Sequence, residues 1–154
     1  MAEWTGVAVQ TVNPGEAIVF TENPVPCTKG YIQHRDDSGA FLLSGATNGC
    51  QPTRQCSCPC CNLNKSVQYV VDFGANIAVP TGETVDSISV AYAIDGNTLQ
   101  GTTMIVTPAA VEEFFNVSRA TNVSIFKNCC QSFSIRNTSA IPILVQNANV
   151  LITR

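Results

Sequence analysis

The amino-acid sequence predicts an all-β chain, a single antiparallel β-sandwich of jelly-roll type. Short runs rich in Val, Ile, Phe and Thr recur along its 154 residues, punctuated by Gly, Pro, Asn and Asp. Turn spacing gives roughly ten strands. No stretch between them leaves room for crossover helices, which directs the chain to a sandwich or jelly roll.

The elements follow in order. Gly6 to Val12 alternates and ends at Asn13-Pro14-Gly15, where Pro pre-sets φ and Gly supplies the positive φ of a turn. Ala17 to Thr21 is extended and is broken by Asn23-Pro24-Val25-Pro26. Tyr31 to Arg35 and Ala40 to Ser44 flank Asp36-Asp37-Ser38-Gly39, a hairpin loop. Residues 45–65 are rich in Gly, Pro, Asn and Cys and read as a loop inserted into the domain. Ser66 to Phe73, Ile77 to Val79, Ser87 to Ile94 and Thr98 to Thr107 are extended, with a tight turn at Asp95-Gly96. Pro108 to Phe115 has the early Pro of a helix start, but two uncapped turns are marginal, and a strand through Glu113 to Ser118 competes. Val123 to Lys127, Ser132 to Asn137 and Ile143 to Thr153 complete the set. The last strand carries amides at alternating and adjacent positions, Gln146, Asn147 and Asn149, which places them on both faces and suggests a subunit contact.

Composition narrows the function classes. Apolar residues make up 45% of the chain but charged residues only 12%, about half the usual share. Ser, Thr and Asn supply the remaining polarity. Net charge is −3 and the eight Lys and Arg are scattered, so no groove tracks a phosphate backbone and no nucleic-acid partner is expected. No run approaches a membrane span. The opening Met1 to Gly6 lacks a basic region followed by an apolar one, so no signal peptide is expected.

The eight cysteines stand out against this background: Cys27, Cys50, Cys56, Cys58, Cys60, Cys61, Cys129 and Cys130. A domain of this size buries about 70% of its unfolded surface and needs no cross-links to fold. Vicinal cysteines rarely bond to each other, because the small ring strains the intervening peptide. Cys60 and Cys61 are therefore expected to branch to different partners, as are Cys129 and Cys130. The residues alone leave intramolecular and intermolecular bridges open. Thiolate coordination of Zn²⁺ by Cys56, Cys58, Cys60 and Cys61 is the alternative, since clustered thiolates suit that ion. Without a secretory signal, oxidation after release by lysis, as for a spore-coat or virion component, reconciles cysteine content with compartment.

Catalysis has little support. His34 is the only histidine. A Cys27–His34 pair oriented by Asp36 is conceivable, but a lone His at a strand end reads as a surface or interface residue. Asp36-Asp37 and Glu112-Glu113 are adjacent, and neighbouring strand side chains point to opposite faces. Four Asn-x-Ser sequons, at Asn64, Asn116, Asn122 and Asn137, are expected by chance in so Asn- and Ser-rich a chain. No enzymatic activity is expected, and no cofactor other than the alternative Zn²⁺.

Particular segments carry a resemblance. Cys27 to Gly30, Tyr31 to Gly39 and Leu42 to Gly45 look like the front of a tumour-necrosis-factor/C1q-like jelly roll. Gly74 to Gly82, Ile88 to Gly96, Asn137 to Ser139 and Asn147 to Ile152 resemble the C-terminal domain of collagen-like exosporium glycoproteins of spore-forming bacteria. Small proteins of gut Clostridia and their phages are similar too, sharing Met104 to Glu113 and Cys129-Cys130. The likeness runs from about Val12 to Arg154. It implies a compact homotrimer with structural or receptor-facing duty, at a spore surface, an extracellular appendage or a virion. The chain departs from it in lacking a Gly-X-Y stalk and in carrying the Cys50 to Cys61 insertion. Residues 1–154 are thus expected to form one self-associating domain with cysteines as staples. Tyr69, Tyr92, Phe114 and Phe115 are candidates for the subunit seam, because aromatic residues are enriched at interfaces. A glycan- or receptor-binding role is a further alternative, since jelly rolls host lectins.

Overall fold

The strand-and-turn pattern resolves into two stacked sheets. The computed structural model describes residues 1–35, 37–46 and 62–154. Its strands are β1 (Ala2–Gly6), β2 (Gln10–Val12), β3 (Glu22–Val25), β4 (Ile32–His34), β5 (Phe41–Ser44) and β6 (Asn62–Ala78). After them come β7 (Ile88–Ile94), β8 (Asn97–Thr98), β9 (Met104–Val106), β10 (Phe115–Lys127), β11 (Cys130–Asn137) and β12 (Ile143–Thr153). Sheet A runs β10-β6-β12-β1-β3, with β2 also beside β12. Sheet B runs β4-β5-β11-β7-β8, with β9 also beside β7. First and last strands pair, Ala2 opposite Ile152 and Gly6 opposite Ala148, so both chain ends sit inside sheet A.

Alternation on each strand sends one set of side chains between the sheets. An aromatic chain threads that space: Trp4 to Phe41 at 4.9 Å between ring centroids, Phe41 to Phe133 at 6.2 Å, Phe133 to Tyr92 at 5.3 Å and Tyr92 to Phe73 at 6.5 Å. These separations suit edge-to-face and tilted aromatic packing. Two buried phenols bond across the gap. Tyr69 of sheet A donates its hydroxyl to the Ser44 carbonyl of sheet B at 2.6 Å. Tyr92 of sheet B donates to the Arg119 carbonyl of sheet A at 2.5 Å. Asn137 is also buried and fully engaged: its amide donates to the Val12 and Ile141 carbonyls, both at 2.9 Å, and accepts from Ser139 N–H at 2.8 Å. Its sequon is structural.

Several segments differ from expectation. Tyr69 and Tyr92 are fully buried within the protomer and lie on no seam. The expected strands 66–73 and 77–79 are one strand. Gly74, a nominal breaker, lies mid-strand because Asn149 fills the space above it; an added Cβ would stand 2.9 Å from Asn149 Oδ1. Residues 62–65, expected in the loop, open this same strand. Ala2–Gly6 is a strand, and Glu22–Val25 pairs with it despite Pro24, a position tolerable at the end of a sheet. Pro108 to Phe114 forms neither helix nor strand. Glu113 instead accepts from the N–H groups of Ala109 (2.8 Å) and Ala110 (3.2 Å), and Glu112 takes φ 56°, closing a turn. In β12, Asn147 takes φ 52° and the pairing with β6 shifts register between Gln146 and Asn149. This bulge inverts the alternation, so the apolar residues on either side of it point inward while Asn147 and Asn149 are both exposed.

Burial raises both phenols above their ordinary value; Arg154 opposes it at Tyr69, while at Tyr92 the Asp72 charge adds to it and Arg119 opposes it. A group whose folded value is raised contributes stability that is complete below its unfolded value, about 10 for Tyr. That contribution declines as pH rises toward the folded value. The melting temperature is therefore expected to fall above about pH 10, with a shallower fall in a Tyr92→Phe variant. At neutral pH, Tyr69→Phe strands the Ser44 carbonyl and should cost about 1–3 kcal/mol in urea unfolding. An unchanged midpoint would show that this bond carries no net stability.

Candidate functional site

Two features concentrate unusual chemistry: the end of the sandwich where β5 stops, and the outward face of sheet A. At the first, Cys27 precedes a turn over Thr28 to Gly30, which Gly30 closes at φ 69°. Burial is the largest influence on the Cys27 thiol and pushes it up. The backbone N–H groups of Ile32, Lys29, Tyr31 and Gly30 act against burial and together hold the thiol below its ordinary value. The thiol is free and borders a pocket of about 380 Å³, with Lys29, Tyr31 and Arg154 among its walls. Arg154 lies 4.2 Å over the Tyr31 ring and donates to the Ala46 carbonyl at 2.8 Å, tying the end of β12 to the end of β5.

Cys129 and Cys130 lie at the same end. Cys130 pairs with Ser44, whose N–H donates to the Tyr31 carbonyl at 2.9 Å. Gly45 N–H donates to the Cys129 carbonyl at 2.6 Å, and Asn128 N–H returns to the Gly45 carbonyl at 3.0 Å. Gly45 is obligatory there: an added Cβ would meet the Phe126 carbonyl oxygen at 2.0 Å. Cys129 is buried and Cys130 half-buried, and neither is a free thiol. The expected cross-link residues Cys50, Cys56, Cys58, Cys60 and Cys61, including the four alternative zinc ligands, lie outside the described residues.

The second feature is the outward face of β6, β10 and β12. Gln68 and Ser124 exchange two hydrogen bonds, at 2.8 and 3.0 Å, and Asn116 donates to Asn76 at 3.2 Å. Val70, 48% exposed, stands opposite Asn122, and Ala120 stands between Ser118 and Asn122 on the same edge strand. Among the described residues, Asp72 is the one formal charge in the middle of this face, and exposed Lys65 and Lys127 lie toward the end of β6 and β10 where the register shifts. Phe114 (38% exposed) and half-buried Phe115 lie where β10 begins, and Phe126 (40% exposed) near its end. Of the four aromatic seam candidates, only Phe114 and Phe115 reach the surface. The amide ladder escaped sequence reasoning, although the polar i, i+2 spacing Asn116-Ser118 and Asn122-Ser124 carried the signal.

No protein-family model matches the chain, and no curated protein does. Among solved structures, the globular domain of a zebrafish complement 1qA protein superposes with a TM-score of 0.50 at 6% identity, covering 97% of this chain and 94% of that one. Pika GITRL matches with a TM-score of 0.41 at 10% identity, over 98% and 96% of the two chains. A family 35 carbohydrate-binding module from Clostridium thermocellum matches with a TM-score of 0.36 at 9% identity, over 98% and 96%. The architecture is the jelly roll of the tumour-necrosis-factor/C1q-like type. No helix among the described residues is long and apolar enough to cross a membrane.

Alkylation of Cys27 by iodoacetamide, followed by peptide mapping, should outpace that of an unstructured Cys peptide at pH 7. A depressed thiol is more fully ionised there. Its rate should also level off at lower pH than the peptide's; an equal or higher midpoint would refute the backbone cradle. Gly45→Ala should lower stability by about 2 kcal/mol or more, as overpacking against backbone does, readable as a urea midpoint shift.

Proposed function

We propose that this chain is a non-enzymatic structural domain that self-associates through the outward face of sheet A. Its expected state is a homotrimer, and its cysteine end forms covalent links. The observation that carries this reading is the scarcity of charge on the middle of a broad sheet face. Three strands about 4.8 Å apart and about eleven residues long present on the order of 500 Å². That approaches the roughly 800 Å² a partner contributes to a stable interface. Interface centres are depleted of charge, and among the described residues the middle of this face carries one charge, Asp72, with exposed Lys65 and Lys127 at its end. Val70 and Phe126 supply exposed apolar contact, and the Gln68–Ser124 and Asn76–Asn116 pairs hold polar groups in fixed geometry. Phe114 and Phe115 extend the contact past the start of β10.

The cysteines support the second part of the reading. Cys129 and Cys130 are engaged while Cys27 keeps a free, acidified thiol at the same end. Vicinal cysteines branching to different partners would fix that end covalently in an oxidising exterior setting such as a spore surface, an appendage or a virion.

Sedimentation equilibrium of the full chain tests the association. The expected mass is three times the 16.4 kDa chain. Val70→Lys places a cation at mid-face and should shift the protein to monomer. It should change stability by less than about 0.5 kcal/mol, because the site is half exposed. Wild-type protein that stays monomeric at every concentration would overturn the reading. Non-reducing electrophoresis of the same sample tests the staples, as covalent multimers should collapse with reductant.

A further inference from the structure

We infer that the outward face of sheet B carries a binding groove for an acidic saccharide, separate from the self-association face on the opposite side of the sandwich. The groove has a volume of about 460 Å³ and opens to solvent over β4, β5 and β11. Register determines its layout. Gln33 stands opposite Leu42, and Leu42 opposite Ser132, so the three side chains form a row across adjacent strands. Strands about 4.8 Å apart place Gln33 and Ser132 roughly 10 Å from each other with Leu42 between them. An apolar floor flanked by an amide and a hydroxyl matches a sugar ring, which presents C–H groups on its face and hydroxyls at its rim. Concave sites of this kind use a few convergent polar groups to orient the ligand.

Charge sets the ligand class. Arg35 lies two residues beyond Gln33 on the same outward side, is exposed, and lines the groove with Ala40. It forms no ion pair with any described residue. Arg136 adds a second cation further along this face, held by bonds to Ser134 Oγ at 3.0 Å and the Gly15 carbonyl at 3.1 Å. Among the described residues, a nearby carboxylate is Asp95, and it is already occupied. Its two oxygens accept from Ser132 N–H at 2.9 Å and from the Gln131 amide at 3.0 Å. Asp37, in the turn after Arg35, does not line the groove. A guanidinium beside a sugar-sized floor selects a carboxylate-bearing ring, because a charge-assisted pair is stronger than a neutral one.

Titration of the full-length, isotope-labelled chain with D-glucuronate and with D-glucose, followed by amide chemical shifts, tests this. Saturable shifts at Gln33, Leu42 and Ser132 are expected with glucuronate, and glucose should bind about tenfold more weakly. Arg35→Ala should bring glucuronate down to the glucose level, while Leu42→Ser should weaken both. Both substitutions are at the surface, and an otherwise unchanged spectrum establishes that the fold is intact. Absence of saturable shifts with either sugar, equal affinity for the two, or an Arg35→Ala protein that still prefers glucuronate would overturn the proposal. Loss of self-association in Val70→Lys leaves this result unaffected, so the two readings fail separately.

Discussion

The two sheets are held in one relative position by a reciprocal exchange of buried phenols. Tyr69 leaves sheet A to bond the Ser44 carbonyl at the end of β5, and Tyr92 leaves sheet B to bond the Arg119 carbonyl on β10. Apolar packing alone is non-directional, and two flat sheets could slide over one another with little loss of buried area. A phenol without its carbonyl would be a buried unsatisfied donor, costing about 1–3 kcal/mol. Two such bonds, joining the adjacent strands β6 and β10 of sheet A to β5 and β7 of sheet B, penalise any slide or rotation. The aromatic chain from Trp4 to Phe73 fills the space between them. The placement of β5, and with it the Cys27 pocket and the Cys130 pairing, follows from Tyr69.

That constraint also explains what was legible in the sequence. Punctuation located most strands, because Gly, Pro, Asn and Asp act locally: the Asp95-Gly96 turn has φ 50° and 81° as a two-residue hairpin demands. The errors fall where a distant residue overrides the local signal. Gly74 reads as a break until Asn149, 75 positions away, is seen to fill the space above it. Pro24 reads as a break until β3 is seen to occupy a sheet end. Tyr69 and Tyr92 read as interface residues because an amphipathic ring suits either a rim or a satisfied core. Their acceptors lie 25 and 27 residues away on other strands, a separation no local pattern encodes.

The amides of β12 show the same logic in reverse. Without a bulge, Gln146, Asn147 and Asn149 would alternate between core and solvent, and a buried unpaired amide would be costly. The positive φ of Asn147 inserts one residue and returns the apolar side chains on both sides of it to the core. Asn tolerates that conformation better than most residues. What looked like an amphipathic inconsistency is a device that keeps the amides of β12 on the outward face of sheet A and its apolar side chains in the core.

The fold therefore separates three chemistries in space. Sheet A presents mainly neutral amides and hydroxyls with exposed Val70 and one carboxylate, Asp72, and the amides lose little on desolvation when they are paired with a neighbour as Gln68 and Ser124 are. Sheet B presents Arg35 and Arg136 outward, on the opposite side of the core. The cysteines described lie at the end of the sandwich, against neither broad face. Burial of the sheet A face in an assembly would leave the cations outward and the thiol of Cys27 beside the subunit boundary. Asp72 is the charge on this face that would have to be paired on association, since desolvating an unpaired ion costs several kcal/mol. The low charge of the chain is thus felt most on one face, while Arg35 and Arg136 stand on the other, where water remains.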